Sequence, residues 1–293
     1  SIGAGWILSE EDWLKDNGID LLKLRASYGI TGRADYEMGL WKLYFGGGNG
    51  YYFGQTPAGA SGYAENQIAV EGLTYEKSHK LNVGIDLVVW KNLSLTIDGY
   101  YDHRTDILVD GSTAISSIFG MSVPKRNDGI VNSYGVEVAA AWNDRIGDFS
   151  YQIGGQLSFN RNKIIEMNEE YRLYDYQKRT GQSLGQIFGY EVEGIYQSQE
   201  EIDQREVKQY LGVVRPGDLK FKNLRDDDKS TNQIDSGDGT LDNPGDQKVI
   251  GNSLPKYLYG ITLGANYKGF DLNIFLQGVA GVNGKLGGFS GWA

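Results

Sequence analysis

The chain has 293 residues, no cysteine and two histidines, His79 and His103, which excludes a disulfide framework, a thiolate nucleophile and a histidine-rich metal centre. Its 28 lysines and arginines face 38 aspartates and glutamates, and the net charge of −10 excludes an electrostatic grip on nucleic acid. Mean hydropathy is −0.42 and no long apolar run occurs, which excludes a transmembrane helix but not a transmembrane β-barrel.

Apolar and polar residues alternate with a period of two along much of the chain, and this pattern predicts β-strands. In chain order the predicted strands are Leu22–Thr31, His79–Val89, Leu93–Asp102, Ser133–Trp142, Phe149–Asn160, Tyr257–Tyr267 and Phe270–Gln277. Further strands are expected inside the long intervening segments, for example at Gln186–Ile195.

The strands are about ten residues long, which is the length that a tilted strand needs to cross a bilayer. Their apolar faces begin and end in aromatic residues, such as Trp90 and Tyr101, as in the aromatic girdles of outer-membrane barrels. Their polar faces suit a hydrated lumen, and the candidate lumen-facing residues are Asn82, Asp86, Asp98, Gln152 and Gln156. Alternation alone also fits a soluble β-sandwich with one wet face.

Connection lengths favour the barrel, because outer-membrane barrels have short turns on one side and long loops on the other. The short connections are Trp90–Asn92, Asn143–Asp148 and Lys268–Gly269, and the long ones are Gly32–Ser78, His103–Val131 and Arg161–Lys256. A barrel must close, since an open edge in lipid leaves backbone groups unpaired. About seven strands are predicted, two or three more are expected, and neither terminus has the pattern of a natural barrel end, so we expect the chain to be part of a larger barrel.

Several segments, in order, resemble the SusC/RagA family of TonB-dependent outer-membrane transporters. They are LKLRASYGITG (22–32), LTYEKS (73–78) with LNVGID (81–86), LSLTIDGYYDHRTDIL (93–108), NDGIVNSYGVEV (127–138), GYEVEGIYQSQEEI (189–202), GDLKF (217–221), VIGNSLP (249–255) and YLYGITLGANYKGFDLNIFLQG (257–278). The resemblance implies an all-β fold. The chain would form part of a transmembrane antiparallel β-barrel and would hold a subset of the strands of a plugged barrel of about 22 strands. Residues 1–293 would be part of one barrel domain, with the plug domain and N-terminal half absent from this chain.

The same resemblance implies the function and the partners. The protein would import oligosaccharides, or alternatively oligopeptides, across the outer membrane of a Gram-negative cell. A SusD-like surface lipoprotein would cover it, a TonB complex would energise it, and outer-membrane lipid and the remainder of the barrel would surround these strands. No catalytic residue is expected. The alternatives of another class are a soluble glycan-binding β-sandwich and a glycoside-active enzyme.

The acidic loop Arg225–Asp246 partly matches an EF-hand-like calcium run that the family often carries. Calcium loops need oxygen ligands at alternating positions and a glycine at the sharp turn. Asp238 would supply one such ligand, and Gly239 would supply the glycine. Asp242 and Asp246 could add carboxylates, but Ile234 stands where the first aspartate belongs. The pattern therefore fits either a calcium site at 225–246 or a solvated acidic loop.

Aromatic residues in the first long loop form a candidate substrate site, because aromatic faces stack on sugar rings. The candidates are Trp41, Tyr44, Tyr51 and Tyr52, with Phe53 beside them. Packing within the loop or against a lid partner is the alternative. Glu191 and Glu193 could mimic a glycosidase acid pair, although exposed strands often show this spacing. His79 and His103 are expected to make surface hydrogen bonds.

Overall fold

A computed structural model describes residues 1–15, 17–34, 38–54, 58–67, 69–110, 124–169, 171–172, 175–225, 233–234 and 245–284 of the chain. In the first 166 residues the strands are β1 (Ile2–Ile7), β2 (Ile19–Arg33), β3 (Tyr44–Phe53), β4 (Ala58–Gln67), β5 (Glu76–Val89), β6 (Leu93–Val109), β7 (Arg126–Ile146) and β8 (Phe149–Glu166). Then come β9 (Gln186–Gly189), β10 (Val192–Ile195), α1 (Gln199–Gln204), β11 (Lys208–Gln209), β12 (Leu219–Phe221), β13 (Gln233–Ile234), β14 (Lys248–Asn252), β15 (Tyr257–Tyr267) and β16 (Phe270–Ala280). Short 3-10 turns lie at Leu8–Glu10 and Asp175–Gln177.

The chain divides into two compact units. The first, Ser1–Glu170 with Tyr257–Val279, holds an eight-stranded sheet in the order β1-β2-β5-β6-β7-β8-β15-β16 and the separate hairpin β3-β4. The second, Tyr171–Lys256 with Ala280–Ala293, holds three small two-stranded sheets and α1. That residues 1–293 form part of a single barrel domain stays a prediction.

Neighbouring strands of the eight-stranded sheet pair antiparallel, and their register places residues of one kind in rows. One row on the apolar face reads Leu24, Ile85, Ile97, Val138, Leu157 and Tyr259 from β2 to β15. The neighbouring row on the opposite face reads Arg25, Gly84, Asp98, Glu137 and Ser158. The faces predicted from alternation are therefore the faces of the sheet.

The apolar face is exposed rather than buried in a core. Val83, Ile153 and Leu157 keep 52%, 53% and 49% of their surface accessible. Within the described ranges, the buried apolar side chains lie off this face: Leu40, Val70, Ile164, Ile187, Tyr196 and Ile234. A soluble sandwich would bury such a face, whereas a barrel in a membrane presents it to lipid.

The strands are longer than the predicted ten residues, since β6, β7 and β8 have 17, 21 and 18 residues. The outward apolar band ends at Tyr101 and Tyr134, but pairing continues past it to Val109 on β6 and starts at Arg126 on β7. At about 3.3 Å per residue, β7 is about 70 Å long, and a tilt of about 45° still leaves it taller than a hydrocarbon core of about 30 Å. The strands thus extend beyond the bilayer on the long-loop side.

On the other side the turns are tight. The pair Ile146↔Phe149 leaves only Gly147 and Asp148 between β7 and β8, so the connection predicted at Asn143–Asp148 is shorter than expected. Lys268 and Gly269, with φ of 48° and 85°, form the two-residue turn between β15 and β16. These two-residue turns lie at one end of the sheet, and the apolar band ends at the same level.

Among the described residues, no helix is long and apolar enough to cross a membrane.

Ile97 lies in the middle of the outward band, so an arginine there would enter hydrocarbon. We expect Ile97→Arg to lower the free energy of unfolding of the complete barrel in lipid vesicles by about 2–4 kcal/mol, measured by denaturant titration. Thr96→Arg, one residue away on the polar face, is the matched control and should cost much less. Equal effects at the two positions would contradict the assigned faces.

Candidate functional site

The polar face of the sheet carries an ionic cluster formed by three neighbouring strands. Arg25 on β2 contacts Asp86 on β5 through Nε at 3.1 Å and Nη2 at 3.3 Å. It contacts Asp98 on β6 through Nη1 and Nη2, both at 2.6 Å. The side chains of Arg25, Asp86 and Asp98 are 31%, 28% and 16% exposed, so each carboxylate receives two charge-assisted hydrogen bonds in a partly dry setting.

A glycine makes room for this cluster. Arg25, Gly84 and Asp98 are direct partners across three strands, and a Cβ added to Gly84 would lie 2.6 Å from Arg25 Cζ and from Asp98 Oδ1. The guanidinium therefore lies flat over the backbone of β5. Arg25 lies inside the strand predicted at Leu22–Thr31, but its role in an ionic cluster was not predicted, although its alternation with Leu24 already puts it on the polar face.

A second polar network continues along the same face. The Tyr100 hydroxyl donates to Asn160 Oδ1, Asn160 Nδ2 donates to Ser158 Oγ at 3.2 Å, and Ser158 Oγ donates to Glu137 Oε1 at 3.3 Å. The ring of Tyr100 lies over Gly135, where an added Cβ would come within 2.6 Å of the hydroxyl oxygen. This network links β6, β7 and β8 and presents a wall of hydrogen-bonding groups.

All five candidate lumen residues lie on this polar face. Asp86 and Asp98 join the ionic cluster, and Gln156 lies with Asp98 along one concave stretch of the face. Gln152 lies nearer the tight turns, among Asn143, Ser150 and Asn266. Asn82 pairs with Tyr100 across β5 and β6. The face can hydrogen-bond a polar solute at many points.

The hairpin β3-β4 separates the candidate aromatic residues. Tyr51 and Tyr52 are consecutive on β3 and therefore point to opposite faces. Pairing of Tyr52 with Gly59, of Gly47 with Tyr63 and of Phe45 with Glu65 places three aromatic rings on one face. We call Phe45, Tyr52 and Tyr63 the aromatic face of the hairpin; their exposures are 56%, 71% and 86%.

The opposite face of the hairpin carries Tyr44 and Tyr51. The other described positions on this face are small residues, namely Gly46, Gly48, Ala60, Gly62 and Ala64. Tyr44 is exposed, and so is Trp41, which precedes the hairpin and has Lys42 Nζ 4.6 Å from its ring centre. Phe45 and Tyr63 were not predicted as candidates, because glycines interrupt the apolar alternation that indicates a strand pair.

Three segments that carry the family resemblance meet beyond the aromatic girdle. Asn127 Nδ2 donates to the carbonyl oxygens of Thr74 at 2.9 Å and Asp106 at 2.8 Å, and the Thr74 amide donates to Asn127 Oδ1 at 3.1 Å. Asp106 sits in a bulge of β6 with φ of 56° and accepts from Lys77 Nζ at 2.9 Å. The segments LTYEKS, RTDIL and NDGIVN thus form one structural joint.

In the second unit, the ends of the acidic loop are held together. Asp246 is 2% exposed, and its Oδ1 accepts from the amides of Leu224 at 2.7 Å and Arg225 at 3.2 Å. Arg225 Nη1 donates to the carbonyl oxygens of Gly245 at 2.6 Å and Gln247 at 2.9 Å, and its guanidinium lies 3.6 Å from the Tyr176 ring centre. Burial raises the pKa of Tyr176.

This clasp bears on the calcium prediction. Asp246 already uses Oδ1 for two backbone amides, and Asp238 and Asp242 lie outside the described residues. Ile234 is fully buried, and the Tyr210 amide donates to its carbonyl oxygen at 2.8 Å, so it anchors the loop. The described residues contain no cluster of three or more acidic or histidine side chains suited to a metal. The calcium site stays a prediction.

The two glutamates whose spacing is similar to that of a glycosidase pair are held in ion pairs. Glu191 accepts from Lys248 and lies 3.7 Å from Lys222, and Glu193 lies 3.1 Å from Arg205. The hydrogen bond from Lys248 lowers the pKa of Glu191, whereas a general acid needs a raised pKa. Glu201 also has a lowered pKa, because its carboxylate accepts from the Gln197 amide and from Lys220.

The sequence profile of the family described as "TonB dependent receptor-like, beta-barrel" matches residues 1–289. The chain belongs to this TonB-dependent receptor family. Members are outer-membrane transporters rather than enzymes, which confirms the predicted outer-membrane location and the absence of an enzymatic role.

Relatives in this family come from Formosa agariphila. TonB-dependent receptor P39 is 32% identical over 92% of this chain, and TonB-dependent receptor P3 is 27% identical over 96% of it. The chain spans 28% of the length of each relative.

Solved structures show the same fold. The RagAB peptide importer in the "closed-closed" state superposes with a TM-score of 0.67 at 18% identity, over 96% of this chain and 29% of that one. The "open-open" state gives a TM-score of 0.68 at 19% identity, over 96% and 28%. These values confirm the partial all-β barrel fold of this TonB-dependent receptor segment.

Removing Arg25 should leave two carboxylates facing each other over Gly84. We expect Arg25→Met to lower the free energy of unfolding of the complete barrel by about 2–3 kcal/mol, measured by denaturant titration. The double variant Arg25→Met/Asp98→Asn should recover part of this loss, because it removes the repulsion. Lys80→Met, exposed on the same polar face on β5, is the control. No recovery in the double variant would contradict the cluster.

Proposed function

We propose that this chain forms part of the wall of an outer-membrane importer that takes up oligosaccharides, energised through TonB. The single observation that carries the ligand class is the aromatic face of the hairpin β3-β4. Three exposed rings interleaved with Gly47 and Gly59 offer flat apolar platforms with room between them, which suits the faces of sugar rings. The polar face of the sheet would then carry the solute inward through exchange of hydrogen bonds.

The rest of the proposed machine lies in other segments and partners. β1 and β16 are the two edges of the described sheet, so further strands of the barrel would pair with them in lipid. Contact with the TonB complex would be made by a plug outside these residues. A SusD-like lipoprotein would cover the long-loop side of the barrel. The exposed hairpin β3-β4 would form part of its binding surface.

The second candidate is import of oligopeptides. It is favoured by the exposed carboxylate of Glu137 on the polar face, which would attract the cationic ends and side chains of peptides. The similarity to the RagAB peptide importer is a similarity of fold, and the peptide in its name is the ligand of that protein. The two candidates differ in the surface that would select the ligand: the aromatic face of the hairpin for oligosaccharides, and the polar face of the sheet for oligopeptides.

Loss of the aromatic face should weaken oligosaccharide binding. For Tyr52→Ala/Tyr63→Ala in the complete transporter with its lipoprotein, we expect about ten-fold weaker binding of a mixed oligosaccharide panel by calorimetry, since two ring contacts are removed. Tyr51→Ala, on the opposite face of the same hairpin, is the matched control and should bind as the parent does. Binding of an oligopeptide panel alone, unchanged in the double variant, would refute the glycan proposal.

We also propose that Asp238 and Asp242 bind calcium in the acidic loop 225–246. The clasp formed by Asp246 and Arg225 supports this, because joining the loop ends beforehand reduces the entropy that a metal site must overcome. The described geometry assigns Asp246 mainly to this clasp.

Calcium titration of the complete transporter tests the loop. We expect saturable binding that Asp238→Ala abolishes and that Asp203→Ala, a control on α1 of the same unit, leaves unchanged. Identical calcium affinity in the parent and in Asp238→Ala would leave a solvated acidic loop as the correct description.

A further inference from the structure

Both histidines of the chain lie side by side on the outward face of the sheet, just beyond the aromatic girdle. One row across four strands reads His79, His103, Asn132 and Lys163, from β5 to β8. The next row towards the apolar band contains the girdle residues Tyr101 and Tyr134 and ends in Arg161. The two rows therefore place polar and cationic groups where the hydrocarbon ends.

The histidine rings are held in place by their neighbours. His79 Nδ1 is 2.7 Å from the Tyr28 hydroxyl, and His103 Nδ1 is 2.7 Å from Asn132 Oδ1. The ring centres are 6.3 Å apart. Each ring therefore keeps Nε2 directed away from these bonds and available to an external group.

Two cations complete this surface. Arg161 and Lys163 are both exposed on the outward side of β8, and the Arg161 guanidinium lies 5.6 Å from the Phe159 ring centre. Neither row contains a carboxylate. One row farther from the membrane, Asp106 is paired with Lys77 at 2.9 Å. We call His79, His103, Lys163 and, from the adjacent row, Arg161 the basic row; its charge is complementary to that of an anion.

An apolar groove opens below the basic row on the same face. Its floor is Gly99, and its sides are Leu81, Val83, Val136, Phe159 and the rings of Tyr101 and Tyr134; the groove is shallow and open, with a volume of about 550 Å³. A Cβ added at Gly99 would have only Val83 O near it, at 3.9 Å, so the missing side chain leaves real space. Gly99 is four residues from His103 on β6, about 13 Å along the strand.

We propose that this surface binds a phosphorylated glycolipid of the outer leaflet, with one acyl chain in the groove and its phosphates on the basic row. A lipid has this order of groups, with anionic headgroup above and hydrocarbon below. From β5 to β8 the row spans three strand spacings, about 14 Å, which is wider than one phosphate and suits a sugar headgroup with separated phosphates. The site lies outside the lumen and is independent of the imported ligand.

Native mass spectrometry of the complete, detergent-solubilised transporter with added diphosphoryl lipid A tests the proposal. We expect bound lipid on the parent, and about ten-fold less on Arg161→Gln/Lys163→Gln, because two headgroup contacts are lost. Gly99→Leu should also reduce binding, because its side chain would occupy the groove, and its Cβ would make only an ordinary contact with Val83 O at 3.9 Å. Folding of each variant is checked by its heat-dependent shift in gel mobility.

The matched control is Lys80→Gln. Lys80 follows His79 directly and is exposed on the polar face, so its loss should leave lipid binding unchanged. Phosphate-free lipid A should bind weakly, and excess inorganic phosphate should not displace the intact lipid. Equal binding of phosphorylated and phosphate-free lipid, equal loss in Lys80→Gln, full displacement by inorganic phosphate, or no loss in the folded double variant would each overturn the proposal.

Discussion

The structure depends on continuous backbone pairing in a fixed register, which places each residue on the same face of the sheet as its partners on the neighbouring strands. A one-residue slip would send the whole apolar set of a strand to the polar side. The ladder from β2 to β15 has no such slip opposite Leu95 to Gly99 on β6, so the rows there alternate between mainly apolar and mainly polar. The same pairing satisfies the backbone groups that lipid cannot hydrate.

On the polar face, glycines stand opposite the largest side chains. Gly84 lies beneath Arg25, Gly135 beneath Tyr100, and Gly260 beside Phe275, whose ring would be 3.2 Å from an added Cβ. A side chain that lies flat on a neighbouring strand fills little of the lumen and gains contacts with the wall. The abundance of glycine in this chain therefore has a specific use, since a passage for solutes needs a wall that is polar, well packed and thin.

Much of this could be predicted from the sequence, because the strongest signal, alternation between Leu81 and Tyr101, is also what the membrane selects. The extra length of β6 and β7 could not be predicted in this way. Beyond Tyr101 both faces become polar, so the period disappears while the backbone continues to pair. The hairpin β3-β4 was missed for a related reason, as its glycines carry no face signal. Arg25 and its aspartates needed the register, because they are 61 and 73 residues apart in sequence.

The two units also differ in how their residues relate to function. In the sheet, most of the outward residues need only be apolar, so their chemistry is set by lipid. In the unit Tyr171–Lys256, single residues hold the structure: Tyr196 is 2% exposed and is bonded by Arg205, and Asp246 clasps the acidic loop. Such tertiary roles leave no periodic trace, which is why this unit resembled a long loop with scattered motifs in sequence.

A nitroxide scan of β6 from Ser94 to Tyr101, in the complete barrel in lipid vesicles, measures the faces directly. At Leu95, Ile97, Gly99 and Tyr101 we predict high collision rates with dissolved oxygen, which concentrates in hydrocarbon. At Ser94, Thr96, Asp98 and Tyr100 we predict low oxygen collision rates and, where space allows, contact with a water-soluble nickel complex. Protection of both sets from both reagents, as in the dry interior of a sandwich, would contradict the account.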